Sequence, residues 1–187
     1  MLSFRKNSTS VFLITLILTI IARPSAFAYD FKVDNKIIKS LPFNFQLYKS
    51  KKPSRLKIHF PNLKEYPFSR DHQKLYAEEE LKKGPNFSGR YRILEFGCGS
   101  ECVYALMFDL SNGRKIEFPR GGEAILGMSL LFQLDSNLII VKSYKKFIGT
   151  PVCKFEGLLF KEEKFVSLGS RFFKGEEKCS KPNVVHY

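Results

Sequence analysis

Residues 85–110, PNFSGRYRILEFGCGSECVYALMFDL, decide the fold. Residues 91–96 and 103–110 have strand length, are rich in aromatic and aliphatic side chains, and are bounded by glycine or polar clusters, so both read as strands. Between them, Gly97-Cys98-Gly99-Ser100-Glu101-Cys102 sets two glycines within three positions, which suits a tight reversal of the chain. Such a hairpin puts Cys98 and Cys102 on its two shoulders, within reach of the roughly 5.5–6 Å Cα separation that a disulfide takes. Asn112-Gly113 before residues 114–118 is a second hairpin signal, so 90–118 reads as a three-stranded meander.

Working outward, residues 129–134 and 138–142 read as strands around Asp135-Ser136-Asn137. Residues 143–151 read as a longer connection, 152–160 and 164–168 as a last hairpin, and 169–187 as a polar tail. On the N-terminal side, 69–83 reads as a helix. Ser69 can cap it, Asp71 and Lys82-Lys83 complement its dipole, and Gly84-Pro85 stop it. Leu75, Tyr76, Ala77 and Leu81 are its expected apolar face, with Glu78-Glu79-Glu80 toward water. Residues 29–64 read as an N-terminal extension with one or two edge strands, a basic loop over 49–57 and a short strand over 56–60. The expected class is mainly β (α+β): an antiparallel meander, sandwich or partly open barrel with one helix on its N-terminal side.

The string Gly84-Pro85-Asn86-Phe87-Ser88-Gly89-Arg90-Tyr91, then Gly97-Cys98-Gly99 with Cys102, then Asp109 and Gly113, then Asp135-Ser136-Asn137-Leu138, resembles a family of small exported bacterial proteins. That family carries G-P-N-F-[AS]-G-x-Y, G-C-G-x-x-C, D-x-x-x-G and D-S-x-L in this order. The resemblance spans about residues 65–165, with Phe96 standing where the family usually has tryptophan. It implies boundaries and a fold class and supplies no activity. A structural use for Asn86-Phe87-Ser88-Gly89 is to fix a helix-to-strand corner with Phe87 plugging the core. The functional alternative is a polar ligand pocket drawing on Asn86, Gly89, Tyr91, Gly97 and Gly99 beside the cysteine turn.

Residues 1–28 read as a cleaved signal peptide: Arg5 and Lys6, an uncharged run over 11–22, a break at Arg23-Pro24-Ser25, and Ala26-Phe27-Ala28 as the cleavage site. At ~1.5 Å per residue that run falls short of a ~30 Å hydrocarbon core, so a signal peptide is preferred to an anchor. Cleavage after Ala28 leaves a single β-rich domain, 29–187, periplasmic or secreted. The whole chain carries 31 Lys and Arg against 18 Asp and Glu, a net charge of +13. This charge suits an anionic envelope polymer or a protein partner, and equally suits solubility. Nucleic acid is disfavoured, because the aromatics near the basic run, Phe43, Phe45, Tyr48 and Phe60, read as core.

Four cysteines behind a signal peptide suggest two disulfides, and Cys98–Cys102 with Cys153–Cys179 is the favoured pairing of three. The alternative makes Cys98 or Cys102 the thiol of a hydrolase or redox enzyme, which needs a base from His59, His72 or His186. No histidine or cysteine pair completes a metal site around Cys98 and Cys102, and Gly97-x-Gly99 precedes a strand, so no metal or cofactor is expected. Glu95, Glu101 and Asp109 are acids that a fold could bring together. The leading expectation is a non-enzymatic, disulfide-braced, exported β domain that binds an envelope component or another protein.

Overall fold

The computed structural model describes residues 35–51, 56–66, 68, 71–145 and 152–174, all within a unit spanning Phe31–Tyr187. In chain order these form α1 (Asn35–Ser40), α2 (Asp71–Lys82) and seven strands: β1 (Tyr91–Gly99), β2 (Cys102–Asp109), β3 (Arg114–Ile116), β4 (Ser129–Phe132), β5 (Leu138–Lys145), β6 (Val152–Lys161) and β7 (Lys164–Lys174). β1-β2-β3 make one antiparallel sheet and β4-β5-β6-β7 a second, and neither closes into a barrel.

The strand sequences explain the layering. Side chains alternate faces along a strand, so a run that is apolar throughout must be covered on both sides. In β1 and β2, Tyr91, Ile93 and Met107 turn toward the second sheet and meet Leu130, Ile139, Val141, Leu158 and Phe160. The alternate residues Leu94, Phe96 and Phe108 turn outward, under Ala77 and Leu81 of α2 and under Leu63. In β5, Ile139 and Val141 face the first sheet, whereas Leu138 and Ile140 lie beneath Ile37, Leu41 and Phe43. The result is four layers: helix, sheet, sheet, and a cover of short helix and turns.

The N-terminal extension is therefore a lid, not the edge strands its alternation suggests. Ile37 and Leu41 are four residues apart, which brings them to one face of a helical turn. Asn44 then caps a 3-10 turn, Phe45–Tyr48, by accepting the N–H groups of Gln46 and Leu47 at 3.0 and 3.2 Å. Phe43 lies flat over Gly157, where a Cβ would come within 2.9 Å of its ring. Residues 56–60 also form no strand; His59 N–H donates to Leu110 O at 2.9 Å beside β2.

Four other expectations are corrected. Leu75 is 61% exposed, and Gln73 takes its place on the buried face of α2. Glu80 turns inward from the acidic run to pair with Arg92 and Lys83. β5 continues through Lys145, and β7 runs to Lys174 where a tail was expected from Gly169. Gly169, with φ of 99°, is a bulge and not a stop. Glu156 faces Ser170 and Leu158 faces Ser167, so Leu168 and Gly169 together oppose Gly157 and pairing resumes beyond them. The expected cap Ser69 and the connection 146–151 lie outside the described residues.

Candidate functional site

β1 and β2 are in register from Tyr91↔Asp109 to Gly97↔Val103, and the register shifts between Gly97 and Gly99. At this tip Gly99 adopts φ of 138° and Glu101 φ of 61°. Cys98 and Cys102 are bridged across it, with Cα atoms 5.0 Å apart. Cys98 is exposed and Cys102 buried. Two segments hold the tip. Gln73 of α2 donates its Nε2 to Gly97 O at 3.0 Å. From the other side, Gly127 N–H donates to Glu101 O at 2.7 Å and Gly122 N–H to Val103 O at 2.8 Å. Gly127 sits against the Tyr144 ring, where an added Cβ would come within 1.7 Å. Burial, with the Glu101 carboxylate as a second cause, pushes the Tyr144 phenol up to about 12.

Below the tip, Glu95 points between the sheets, on the face of β1 that also carries Ile93. Its Oε2 accepts the Leu130 N–H at 3.2 Å, from the edge of β4, and burial pushes the carboxyl up to about 7. Beside Leu130, Ser129 faces Lys142 across β4 and β5. Both are buried, and burial pushes the Lys142 amine down to about 8. Lys142 shares its sheet face with Leu138 and Ile140, away from the side on which Glu95 approaches. Glu95 and Lys142 are thus not an acid–base pair.

Asp109 does not join Glu95. It lies four positions beyond Ala105, the residue opposite Glu95, or roughly 13 Å along β2. There it accepts the Ser111 N–H at 2.8 Å and the Ser111 Oγ–H at 2.6 Å, and pairs with Arg90 at 3.0 Å. Among the described residues no three His, Cys, Asp or Glu side chains are placed to hold a metal.

Of the five motif residues, Gly97 and Gly99 belong to the tip. Asn86, Gly89 and Tyr91 lie at the other end of β1, roughly 20 Å away. At that end Asn86 donates Nδ2 to Ile93 O at 2.9 Å and accepts Ile93 N–H at 2.8 Å, acting as a strand partner. Phe87 is fully buried against Tyr91, Phe132 and Phe160. Gly89, with φ of 76°, donates its N–H to Leu134 O at 2.6 Å, and Ser88 Oγ bonds to Asn137. Tyr91 accepts a hydrogen bond from Arg90 at 2.6 Å. Ser136 donates to Phe45 O at 3.2 Å or Tyr48 O at 3.1 Å and accepts Leu138 N–H at 3.2 Å. The two motif strings, 84–91 and 135–138, thus meet at one corner and tie the N-terminal lid to both sheets.

Cys153 is buried under that lid, and its expected partner Cys179 lies outside the described residues. One group, Glu156, escapes sequence reasoning. Like Glu95, it stands inside an apolar strand run, and that interruption was the available signal. Glu156 accepts from Arg120 Nε at 3.1 Å and Nη2 at 2.6 Å, from Lys154 Nζ at 3.0 Å and from Ser167 Oγ at 3.0 Å.

Fold and site together define a mainly β antiparallel protein of two facing sheets, covered by helix on one outer side and by helix and turns on the other, with a disulfide-closed hairpin tip. The chain matches no family model, no curated protein and no solved structure.

Proposed function

We propose that this is an exported, disulfide-braced β protein that binds an anionic envelope component or another protein, with the motif residues serving the fold. What supports the reading is how charge is distributed. Five acids pair with cations of the same chain: Glu80 with Arg92, Asp109 with Arg90, Asp135 with Lys49, Glu156 with Arg120 and Glu163 with Arg114. Lys39, Lys57, Lys82, Lys164, Arg171 and Lys174 stand exposed, and cleavage after Ala28, which removes Arg5, Lys6 and Arg23 and no acid, leaves the exported chain a net charge of +10. Such a surface attracts polyanions over about a Debye length, ~10 Å at 0.1 M salt. The protein is expected to bind vesicles containing anionic lipid at low ionic strength and to be released at several-fold higher salt. No binding at low salt would end the anionic version.

The second reading is a thiol-redox enzyme or hydrolase using Cys98 and Cys102. It is favoured by the exposure of Cys98 on a glycine-flanked turn, where a thiolate would be accessible. Alkylation of the exported protein under non-reducing conditions, followed by intact and peptide mass measurement, separates the two. The first reading expects a chain starting at Tyr29, no label at Cys98 or Cys102, and a Cys153–Cys179 cross-link. Label at either tip cysteine would put the enzyme first.

A further inference from the structure

β7 is an outer strand of the four-stranded sheet, and among the described residues nothing pairs with its free edge. Over its 11 residues that edge offers unpaired backbone donors and acceptors, the template another strand needs. Two large apolar side chains on it are mostly in solvent, Val166 at 53% and Phe172 at 62%. The strand carries Lys164, Arg171 and Lys174 and no acid. Phe172 stands opposite Lys154 of β6, which adds a fourth cation to its surroundings.

Charge decides what such an edge accepts. A second copy of β7 would set cations against cations, and like charges facing across strands oppose pairing by about 0.2–1 kcal/mol per pair. Lysines and a bulge at an edge guard against self-pairing in this way. The same cations favour a strand carrying carboxylates. We propose that the free edge of β7 takes an extended acidic segment of a partner protein by strand addition. Phe172, past the bulge, lies on one face and covers its apolar residues, while Lys164 and Arg171 lie on the other and meet its carboxylates. The inference rests on the binding-protein reading above and specifies the partner.

The test uses the exported full chain and a fluorescent peptide of alternating Glu and Val, with polyglutamate and an alternating Lys–Val peptide as controls. Fluorescence anisotropy is expected to show binding of the Glu–Val peptide alone. Amide hydrogen exchange is expected to slow along 164–174. The doubly substituted Lys164→Glu, Arg171→Glu protein, checked for folding by circular dichroism, should bind about tenfold more weakly. No binding overturns the proposal, as does equal binding of polyglutamate without amide protection, which indicates diffuse anion attraction. A stable dimer in sedimentation that masks β7 overturns it in favour of self-pairing. If the peptide fails while anionic vesicles are still bound, strand addition falls and the broader function stands.

Discussion

Glu156→Ala is expected to destabilise the protein by about 3 kcal/mol at neutral pH, the largest loss from one polar side chain. Removing one member of a buried ion pair costs roughly 3–5 kcal/mol, because the partners lose their neutralising charge inside the protein. Here the Glu156 side chain is 7% exposed, while Arg120 and Lys154 keep 29% and 33% exposure and can partly rehydrate, which places the loss at the low end. The hydrogen bond from Arg120 is the chief cause that holds the Glu156 carboxyl down at about 2, with Lys154 and Ser167 adding to it against the effect of burial. A depressed pKa gives stability that is present above the ordinary value of 4.5 and lost as pH falls through 2. Urea unfolding of wild type and variant should therefore differ fully at pH 6 and converge toward pH 2. A gap that does not change with pH would mean that packing, and not charge, is what Glu156 supplies.

Glu95→Gln is expected to act in the opposite direction, raising stability by about 2 kcal/mol at pH 8 and changing little at pH 4. The Glu95 carboxyl, pushed up to about 7 by burial, keeps its proton in the folded protein over a range in which the unfolded chain has lost it. A raised pKa gives stability that is complete below 4.5 and lost as pH climbs through 7. Each tenfold change in a group's proton affinity is worth about 1.4 kcal/mol, and the partial solvent contact of Glu95 brings the full figure down to about 2. Glutamine retains an acceptor for the Leu130 N–H and has no charge to desolvate. A variant less stable than wild type at pH 8 would sink the argument. Taken together, the two acids give maximal stability near pH 4.5–5 and opposed slopes on either side.

The motif strings illustrate how far sequence alone can be carried. Asn86, Ser88, Gly89 and Ser136 stand out by type and spacing, and type alone suits a ligand pocket as well as a turn. Asn86 bonds to Ile93 only seven residues on, but the bonds of Ser88, Gly89 and Ser136 to Asn137, Leu134 and Tyr48 are long-range contacts that no local pattern encodes. Phe96 is another case. It packs on Tyr104 at 5.2 Å and Tyr76 at 5.6 Å, filling the space between β1 and α2 with aromatic rings from three parts of the chain.

What the sequence determined by itself is whatever is decided within a few residues. The β1–β2 hairpin follows from strand-length apolar runs around Gly97 and Gly99. The Cys98–Cys102 bridge follows from that turn, α2 from its charges and stop signals, and the antiparallel β class from the strand spacing. Tertiary structure alone decided which faces were covered and by what. Ile37-Ile38 looks like weak strand alternation until Leu138 and Ile140 need a lid, and Gly169 looks like a stop until β6 offers a ladder on which pairing can resume past a bulge. Likewise, a glutamate in an apolar run reads the same at 95 and at 156. At one it meets a single backbone N–H and is driven toward neutrality, and at the other it meets Arg120 and Lys154 and stays charged. Charge burial depends on partners distant in the chain, and only the fold brings them within bonding distance.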